Sequence, residues 1–344
     1  METMKDFNNS LAGYIAKNQY RYYYTTLSVK MQNAYSILLD GYLKHKRDIK
    51  VNVGNIEDAW LVHRALCYDV PELFFIKSIK AAFNPVNTTV TVYPEYRFDY
   101  ETCISIIKNM EQQTKPLIKK ISMFSEQEKV KAIHDYIVET VTYKDLDAPY
   151  SHEAPGAILY GIAVCEGISK AFKFLADRAN INSIVLIGEA VDGGTYRTAN
   201  ESGHAWNIAV INSVSYHIDV TFDYSLSKGK TIRYDYYLLS DNQIQNDHKF
   251  KPTFNCRCDY EHYISNGHYA DSRKKLQHLV KNELKVGGKP LVIKVPNVFE
   301  SEKQASELLL QIVVSAIPMS YKLKSTVSLS YNWMRMIYQI ELSC

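Results

Sequence analysis

The sequence lacks the compositional marks of several classes of protein. Its 344 residues include only 6 cysteines, 14 glycines and 10 prolines, too few for a disulfide-stapled, collagen-like or low-complexity chain. It also lacks an excess of charge of either sign, because 40 Lys and Arg residues face 37 Asp and Glu residues and leave a formal charge of +3. That balance does not predict binding to nucleic acid or to a membrane surface. What remains is an ordered globular chain of about two domain-lengths.

Long apolar runs are absent as well. The longest, Leu308 to Met319, is interrupted by polar residues and a proline and falls short of the roughly 18 residues that a membrane span needs. The first residues, Met1 to Asn18, mix charged and polar side chains into every apolar stretch, so a secretory signal is not expected. We therefore expect a cytoplasmic protein with reduced thiols and without a membrane partner.

Tyrosine is abundant, with 27 residues. Tyr20 and Tyr22 to Tyr24 surround Arg21, and such an aromatic and basic cluster could stack on nucleic-acid bases. A half-buried amphipathic helix uses tyrosine in the same way. We favour the helix and expect no nucleic-acid partner.

Two parts of the chain show the same order of elements, α-β-α-β-β. The hydrophobic spacing near the N-terminus predicts helices over 28–46 and 56–67 and strands over 49–53, 73–79 and 88–93. Near the C-terminus it predicts helices over 276–284 and 301–314 and strands over 291–295, 321–328 and 333–341. The order agrees although the residues do not, so an unrelated α+β arrangement is the alternative.

Between these parts lies a segment of different character. The capping box Ser125-x-x-Glu128 opens a helix with an apolar stripe. We therefore predict three parts: an N-terminal module over 1–120, a central core over 121–268 and a C-terminal module over 269–344.

Cys165 is the candidate nucleophile. After it, apolar residues recur at helical spacing as far as Ala179, so Cys165 lies at the N-terminus of a helix. The unpaired amides and the dipole at that end favour a thiolate over a thiol. The alternative, a small buried side chain, fits Cys67 and Cys103 better because each lies inside a helical pattern.

A base for this thiol is predicted on a hairpin. Strands over 203–211 and 216–223 are expected to turn at Asn212-Ser213. Alternation then places His204 and Trp206 on the same face as Asp219. His204 and Asp219 become diagonal neighbours, close enough for the carboxylate to orient the imidazole.

The order Cys, His, Asp on a helix and two strands is that of a papain-like thiol site. Here the sequence resembles the transglutaminase-like superfamily, over about Ser125 to Tyr263. The residues that carry the resemblance are Lys131-Ala-Ile-His-Asp-Tyr-Ile137, Val164-Cys-Glu-Gly-Ile-Ser-Lys-Ala-Phe172, His204-Ala-Trp-Asn207, Tyr216-His-Ile-Asp-Val-Thr-Phe-Asp223 and Tyr237-Leu-Leu-Ser-Asp241.

The resemblance implies an α+β fold in which a helix bearing Cys165 packs on an antiparallel sheet, flanked by two smaller α/β modules. It also implies Cys165 as nucleophile, His204 as base and Asp219 as the orienting carboxylate, acting without a cofactor on a protein or peptide substrate. A thioester would form and then pass to water or to an amine. The alternative is a catalytically idle protein-binding module on the same fold.

The substrate is expected to contact Tyr160, Glu166 and Trp206, although Trp206 could equally serve only to pack the hairpin. Glu166 and Ile168 stand where the family often has Gln and Tyr, Phe222 where Trp is usual, and Ser213 where a turn has Gly. Glu166 matters most, because a carboxylate beside the thiolate opposes its formation unless it turns away.

Other candidate sites are read as structural. Cys256-Arg-Cys258 with His262 and His268 fits no common zinc spacing, so we expect no metal there. Asp145-Leu-Asp147 is too short for a calcium loop. The polar, glycine-bearing segment from Asp192 to Ser202 precedes His204, and we expect it to form a lid.

Overall fold

The structure is a computed structural model that describes residues 11, 13–15, 19–146, 150–192, 195–196, 203–227, 231–251, 254–317 and 325–343. The chain divides into two compact units: unit 1 is residues 1–215 with 250–254, and unit 2 is residues 216–249 with 255–344. The three-part division at residues 120 and 268 stays a prediction. Among the described residues, none of the helices has the length and apolar character to cross a bilayer.

Unit 1 begins with the predicted α-β-α-β-β order. Side chains of Ser28, Asn55 and Asp99 accept backbone N–H groups at the starts of three of its helices, as N-caps do. Its strands form an antiparallel sheet in the order β1-β3-β2. The elements are α1 (Tyr22–Thr26), α2 (Val29–Leu43), β1 (Ile49–Val51), α3 (Ile56–Asp69), β2 (Ile76–Asn84), β3 (Thr89–Tyr96) and α4 (Tyr100–Ile121).

The tyrosines of α1 belong to the packing of unit 1. The Asp69 carboxylate accepts the backbone N–H groups of Tyr23 and Tyr24, and the Tyr23 hydroxyl donates to the Val185 carbonyl at 2.6 Å. The Arg21 guanidinium lies 4.8 Å from the centre of the Tyr24 ring. These contacts match the interpretation of the cluster as a packed helix.

The second half of unit 1 carries the helix that begins at Cys165. The predicted capping box is confirmed, with Ser125 and Glu128 each accepting the backbone N–H of the other. The helix over Cys165–Arg178 packs against its neighbours β6 and β8, which pair antiparallel. The elements are α5 (Glu126–Thr140), β4 (Thr142–Tyr143), α6 (Ala154–Leu159), β5 (Ile162–Ala163), α7 (Cys165–Arg178), β6 (Ser183–Asp192), β7 (Thr195–Tyr196) and β8 (His204–Ile211).

The strand after β8 is shorter than the alternation predicts. The turn at Asn212 and Ser213 is confirmed, with φ of 48° and 65°, the left-handed conformation that a two-residue turn requires. Strand β9 (Val214–Ile218) then ends, and helix α8 (Val220–Ser227) follows. The prediction that Thr221 and Asp223 lie on a strand was wrong, because Asp219 caps a helix: its Oδ1 accepts the Phe222 N–H at 3.0 Å.

Unit 2 ends in a second α-β-α-β-β module. Its strands form an antiparallel sheet in the order β12-β14-β13, the counterpart of β1-β3-β2. The predicted likeness of element order thus extends to strand order. The elements are β10 (Tyr237–Leu239), α9 (Asp241–Ile244), β11 (His248–Lys249), α10 (His262–Ser265), α11 (Arg273–Glu283), β12 (Leu291–Lys294), α12 (Glu302–Ala316), β13 (Thr326–Asn332) and β14 (Ile337–Ser343).

Candidate active site

Cys165 is the first residue of α7, as predicted, and its side chain is partly exposed. The N-cap residue is Val164, whose side chain cannot accept a hydrogen bond. The first-turn amides are therefore not neutralised by a capping oxygen, and the positive end of the helix dipole lies next to the sulfur. Reactive cysteines occur at helix N-termini of this kind.

The first turn of α7 is fixed by a close backbone approach. The Val164 N–H donates to the Ser151 carbonyl at 2.9 Å. A Cβ at Gly167 would lie 2.4 Å from that same oxygen, which real Cβ atoms do not tolerate. Glycine at 167 is therefore required for the segment before α6 to lie against the tip of α7, and this contact positions the next two residues, His152 and Glu153.

These residues complete a cluster of charges beside Cys165. Glu166 lies 2.8 Å from Lys170 Nζ and 3.4 Å from His152 Nδ1. Burial would raise the pKa of Glu166, but Lys170 and His152 outweigh it and lower that pKa to about 2. On the other side of Lys170, Glu153 lies 2.9 Å from Nζ, and burial raises its pKa. The Glu166 carboxylate is thus paired with the Lys170 ammonium and with the His152 ring, whose pKa it raises.

His204 and Trp206 lie at the start of β8. Their rings stack at 5.7 Å between centroids and 21° between planes, and Trp206 also meets Phe250 edge-on at 5.8 Å. His204 is 9% exposed and Trp206 only 1%. The tryptophan therefore packs and supports the imidazole ring, while its contact with substrate stays a prediction.

A buried amide joins this strand to the cysteine helix. Asn207 Nδ2 donates to the Ser169 carbonyl at 3.0 Å and to the Ile184 carbonyl at 3.1 Å. The Ser169 hydroxyl in turn donates to the Cys165 carbonyl at 2.8 Å. The strand that begins with His204 is thus hydrogen-bonded to the first turns of the helix that begins with Cys165.

Asp219 belongs to unit 2, where it has a partner that the sequence did not reveal. Its Oδ2 lies 3.0 Å from His248 Nε2, and His248 Nδ1 lies 2.6 Å from Asp247 Oδ1. The Tyr236 hydroxyl donates to the other Asp247 oxygen at 2.6 Å. All four side chains are buried. His248 lies in a polar stretch and belongs to no recognisable motif, so the sequence did not predict its contact with Asp219, 29 residues away.

Tyr160 lies at the end of α6 with 53% of its surface exposed. Its ring packs on Tyr150 at 4.7 Å, and Tyr150 stacks on Phe98 at 5.4 Å. The Tyr160 ring is therefore packed against Tyr150 and still exposed at the surface of unit 1. Its contact with substrate stays a prediction.

Cys256 lies beside two other groups of unit 2 that can bind metals. His217, Asp241 and Cys256 offer ligand atoms within 4.8 Å of one another. Hydrogen bonds already engage both Asp241 oxygens, from His217 Nε2 at 2.8 Å and from the Cys256 backbone N–H at 3.1 Å. Burial lowers the pKa of His217 to about 4 and raises that of Cys256 to about 12. The His217 ring and the Cys256 thiol are therefore both neutral at physiological pH.

Two predicted segments cannot be compared in full with the structure. Of the predicted lid, residues 193–194 and 197–202 lie outside the described residues, as does Asp147 of the acidic loop.

Comparison with known proteins matches residues 115–219 to the transglutaminase-like superfamily. No curated protein sequence matches the chain. One similar solved structure is described as a "Putative Cysteine Protease from Cytophaga hutchinsonii": identity is 16%, the TM-score is 0.25, and the match covers 42% of this chain and 61% of that one.

A structure described as a "TGase" has 18% identity and a TM-score of 0.26, with 42% of this chain and 44% of that one covered. A "putative protease" from Parabacteroides distasonis has 11% identity and a TM-score of 0.23, with 41% and 35% covered. The chain spans less than two thirds of the length of each structure. The family resemblance and the α+β class expected from the sequence are confirmed.

Proposed function

We propose that the protein is a thiol enzyme whose nucleophile is Cys165, since residues 115–219 match the transglutaminase-like superfamily. Its substrate is the carboxamide or peptide carbonyl of a protein or peptide. The observation that carries the proposal is the partly exposed Cys165 at the uncapped start of α7, tied through Ser169 and Asn207 to the strand that begins with His204.

The proposed reaction has two steps. The imidazole of His204 takes the thiol proton, the Cys165 sulfur attacks the carbonyl carbon, and a C–S bond forms. Collapse of the tetrahedral adduct breaks the C–N bond, and the leaving ammonia or amine receives the proton from His204. Water then hydrolyses the thioester, or an amine takes the acyl group in transamidation. In either case His204 accepts the proton of the attacking nucleophile and returns it to the Cys165 sulfur.

Two further groups support these steps in the proposal. Asp219 orients His204 and stabilises its protonated form. The Cys165 backbone N–H, at the start of α7, donates to the oxyanion, and one such donor typically contributes about 2.7 to 4 kcal/mol. The cysteines at 67, 103, 165, 256 and 258 are all free, which fits the proposed reducing, cytoplasmic location.

Alkylation of Cys165 tests the nucleophile. The protein is treated with iodoacetamide across about pH 5 to 9, and each thiol is followed by mass spectrometry. We expect Cys165 to react at about pH 6, well below the pH at which the exposed Cys258 reacts, because of the helix terminus and His204. His204→Ala should raise the apparent pKa of Cys165 and leave Cys258 unchanged. Equal pH profiles at the two thiols would support the idle binding module instead.

The outcome of the second step needs a separate assay. A glutamine-containing peptide is incubated with a fluorescent primary amine and the protein, with Cys165→Ala as control. Incorporation of the amine supports transamidation, whereas release of ammonia or cleavage of the peptide supports hydrolysis. Failure of wild-type protein to exceed the Cys165→Ala control with any of a peptide panel argues against the enzyme.

A further inference from the structure

We propose that Lys170 is a positioning residue that holds the Glu166 carboxylate away from Cys165 and cancels its charge. The inference deepens the proposed function, on which it rests. Glu166 follows Cys165 directly in the chain, so a free carboxylate there would raise the free energy of the thiolate. Lys170 lies one helical turn further on, where an i,i+4 partner can reach it.

The geometry shows that Lys170 is built into this position. It is 3% exposed and lies between two carboxylates, 2.8 Å from Glu166 and 2.9 Å from Glu153. Glu153 has a second, longer ion pair with Arg97 at 3.9 Å. Glu153 is a buried residue at the start of α6, and its carboxylate fixes the position of the Lys170 ammonium. The Lys170 ammonium in turn fixes the Glu166 carboxylate, which lies on the same helix.

Lys170 remains protonated at physiological pH. Burial works to lower its pKa, but Glu153 and Glu166 outweigh burial and raise it. Cys67, which also faces Lys170, remains a thiol because burial raises its pKa to about 12. His63, on the same helix as Cys67, remains neutral because burial lowers its pKa to about 4.

Two further titratable groups near Glu166 are His152 and Tyr68, and Asp145 lies 3.7 Å from the other ring nitrogen of His152. Burial raises the pKa of Tyr68 to about 12, so it is neutral at physiological pH. His152 is the member of this group whose charge changes near neutral pH: Glu166 raises its pKa. When His152 is neutral, Lys170 remains as the cation that balances Glu166.

A double-mutant cycle tests the inference with the alkylation assay. The variants are Lys170→Met, Glu166→Gln and the pair of both. We expect Lys170→Met to raise the apparent pKa of Cys165 by about one unit, a roughly tenfold slower reaction below that pKa, as one unbalanced charge nearby produces. The added Glu166→Gln should restore most of the wild-type profile, because the charge to be balanced is then gone.

A second variant, in which both Lys170 and Glu153 are replaced by uncharged residues, separates an effect on Cys165 from a loss of folding. Lys170→Met with Glu153→Gln removes the buried Glu153 carboxylate that would otherwise lose its lysine partner, and circular dichroism verifies the fold of the variant. It should show the same rise in the pKa of Cys165 as Lys170→Met alone, whereas Glu153→Gln alone should show little.

The outcomes separate the two proposals. Wild-type Cys165 without low-pH reactivity overturns the proposed function, and this inference with it. If wild-type Cys165 is reactive but its pKa does not change in Lys170→Met, only the role of Lys170 is overturned. The same holds if Lys170→Met changes the pKa equally in the presence and absence of Glu166→Gln. A loss of rate at all pH values with no change of pKa would mean a structural role, and would also overturn it.

Discussion

At the residue scale, the negative charge of Glu166, next to the proposed nucleophile Cys165, is balanced by its neighbours. Glu166 is paired on one side by Lys170 and on the other by His152. Lys170 lies one helical turn after Glu166, and His152 follows Ser151, whose carbonyl approaches the backbone at Gly167 closely. A carboxylate next to a thiolate is therefore compatible with thiol chemistry when the local fold supplies cations of matching geometry.

The pairing of His152 predicts a pH-dependent stability. The Glu166 carboxylate raises the folded-state pKa of His152 above 6.5. Its contribution is therefore fully present below the unfolded-state pKa and is lost as the pH rises through the folded-state pKa. His152→Gln should lower the free energy of unfolding by less than about 1 kcal/mol at pH 5.5, since the side chain is half exposed. At about pH 9 the same substitution should change the free energy of unfolding little.

Urea denaturation at the two pH values measures this difference. His278→Gln serves as a control, because His278 is an exposed helix residue outside the cluster. A loss in His152→Gln that is larger at alkaline pH would show that Glu166 does not stabilise the protonated ring.

At the scale of elements, Asp219 ends a strand and begins a helix. Its Oδ1 caps α8 and its Oδ2 lies against His248. The same side chain is proposed to orient His204. The structural and the proposed catalytic roles are separable, because Asn caps a helix about as well as Asp but carries no charge.

Asp219→Asn should therefore retain most of the stability while losing activity. Asp219→Ala should lose at least about 1 to 2 kcal/mol of unfolding free energy, because it removes both the cap and the partner of the buried His248, and should lose activity too. Urea denaturation gives the stability, and amine incorporation together with the alkylation profile of Cys165 gives the activity. Full activity in a folded Asp219→Asn would refute the orienting carboxylate.

The turn between β8 and β9 makes another prediction. Ser213 has φ of 65°, a conformation that costs a residue with a Cβ about 1 kcal/mol or more and costs glycine little. Ser213→Gly should therefore raise the free energy of unfolding by about 0.5 to 1 kcal/mol, less the flexibility that glycine adds to the unfolded chain. Thermal unfolding measures it, with Ser213→Ala as the control that retains the strain. Destabilisation by glycine would mean that the Ser213 side chain contributes more than its backbone costs.

At the scale of the whole molecule, one sheet topology occurs twice. Both α-β-α-β-β modules place their last strand in the middle, between the other two strands. The C-terminal copy has an apolar core of its own. Buried members of this core include Leu276, Ile293, Leu309, Ile312 and Ile340.

This core predicts the effect of two adjacent substitutions. Leu309 is 1% exposed and Leu310 is 46% exposed on the same helix, α12. Leu309→Ala should lower the free energy of unfolding by about 2 to 5 kcal/mol, whereas Leu310→Ala should change it by less than about 0.5 kcal/mol. Hydrogen exchange of the amides in β12 to β14 should report the loss. Equal effects of the two substitutions would mean that α12 does not pack as described.

The elements that sequence patterns located best are those with strong local signals. The capping box Ser125-x-x-Glu128 marks a helix start that the structure has, because a cap is a contact between residues three apart. The strand over 216–223 failed for the opposite reason. Its alternation is compatible with a strand, but a cap at Asp219 and burial in unit 2 favour a helix from Val220.

For the candidate site, the sequence by itself determined Cys165 at a helix start, the turn at Asn212-Ser213 and the family of the core, since each depends on residues close together in the chain. Only the tertiary structure decided which groups surround them. Glu153 reaches Lys170 from 17 positions away and His248 reaches Asp219 from 29. Such pairs depend on how the elements pack. The free energy of packing is a sum over many side chains, so no single segment of the sequence determines it.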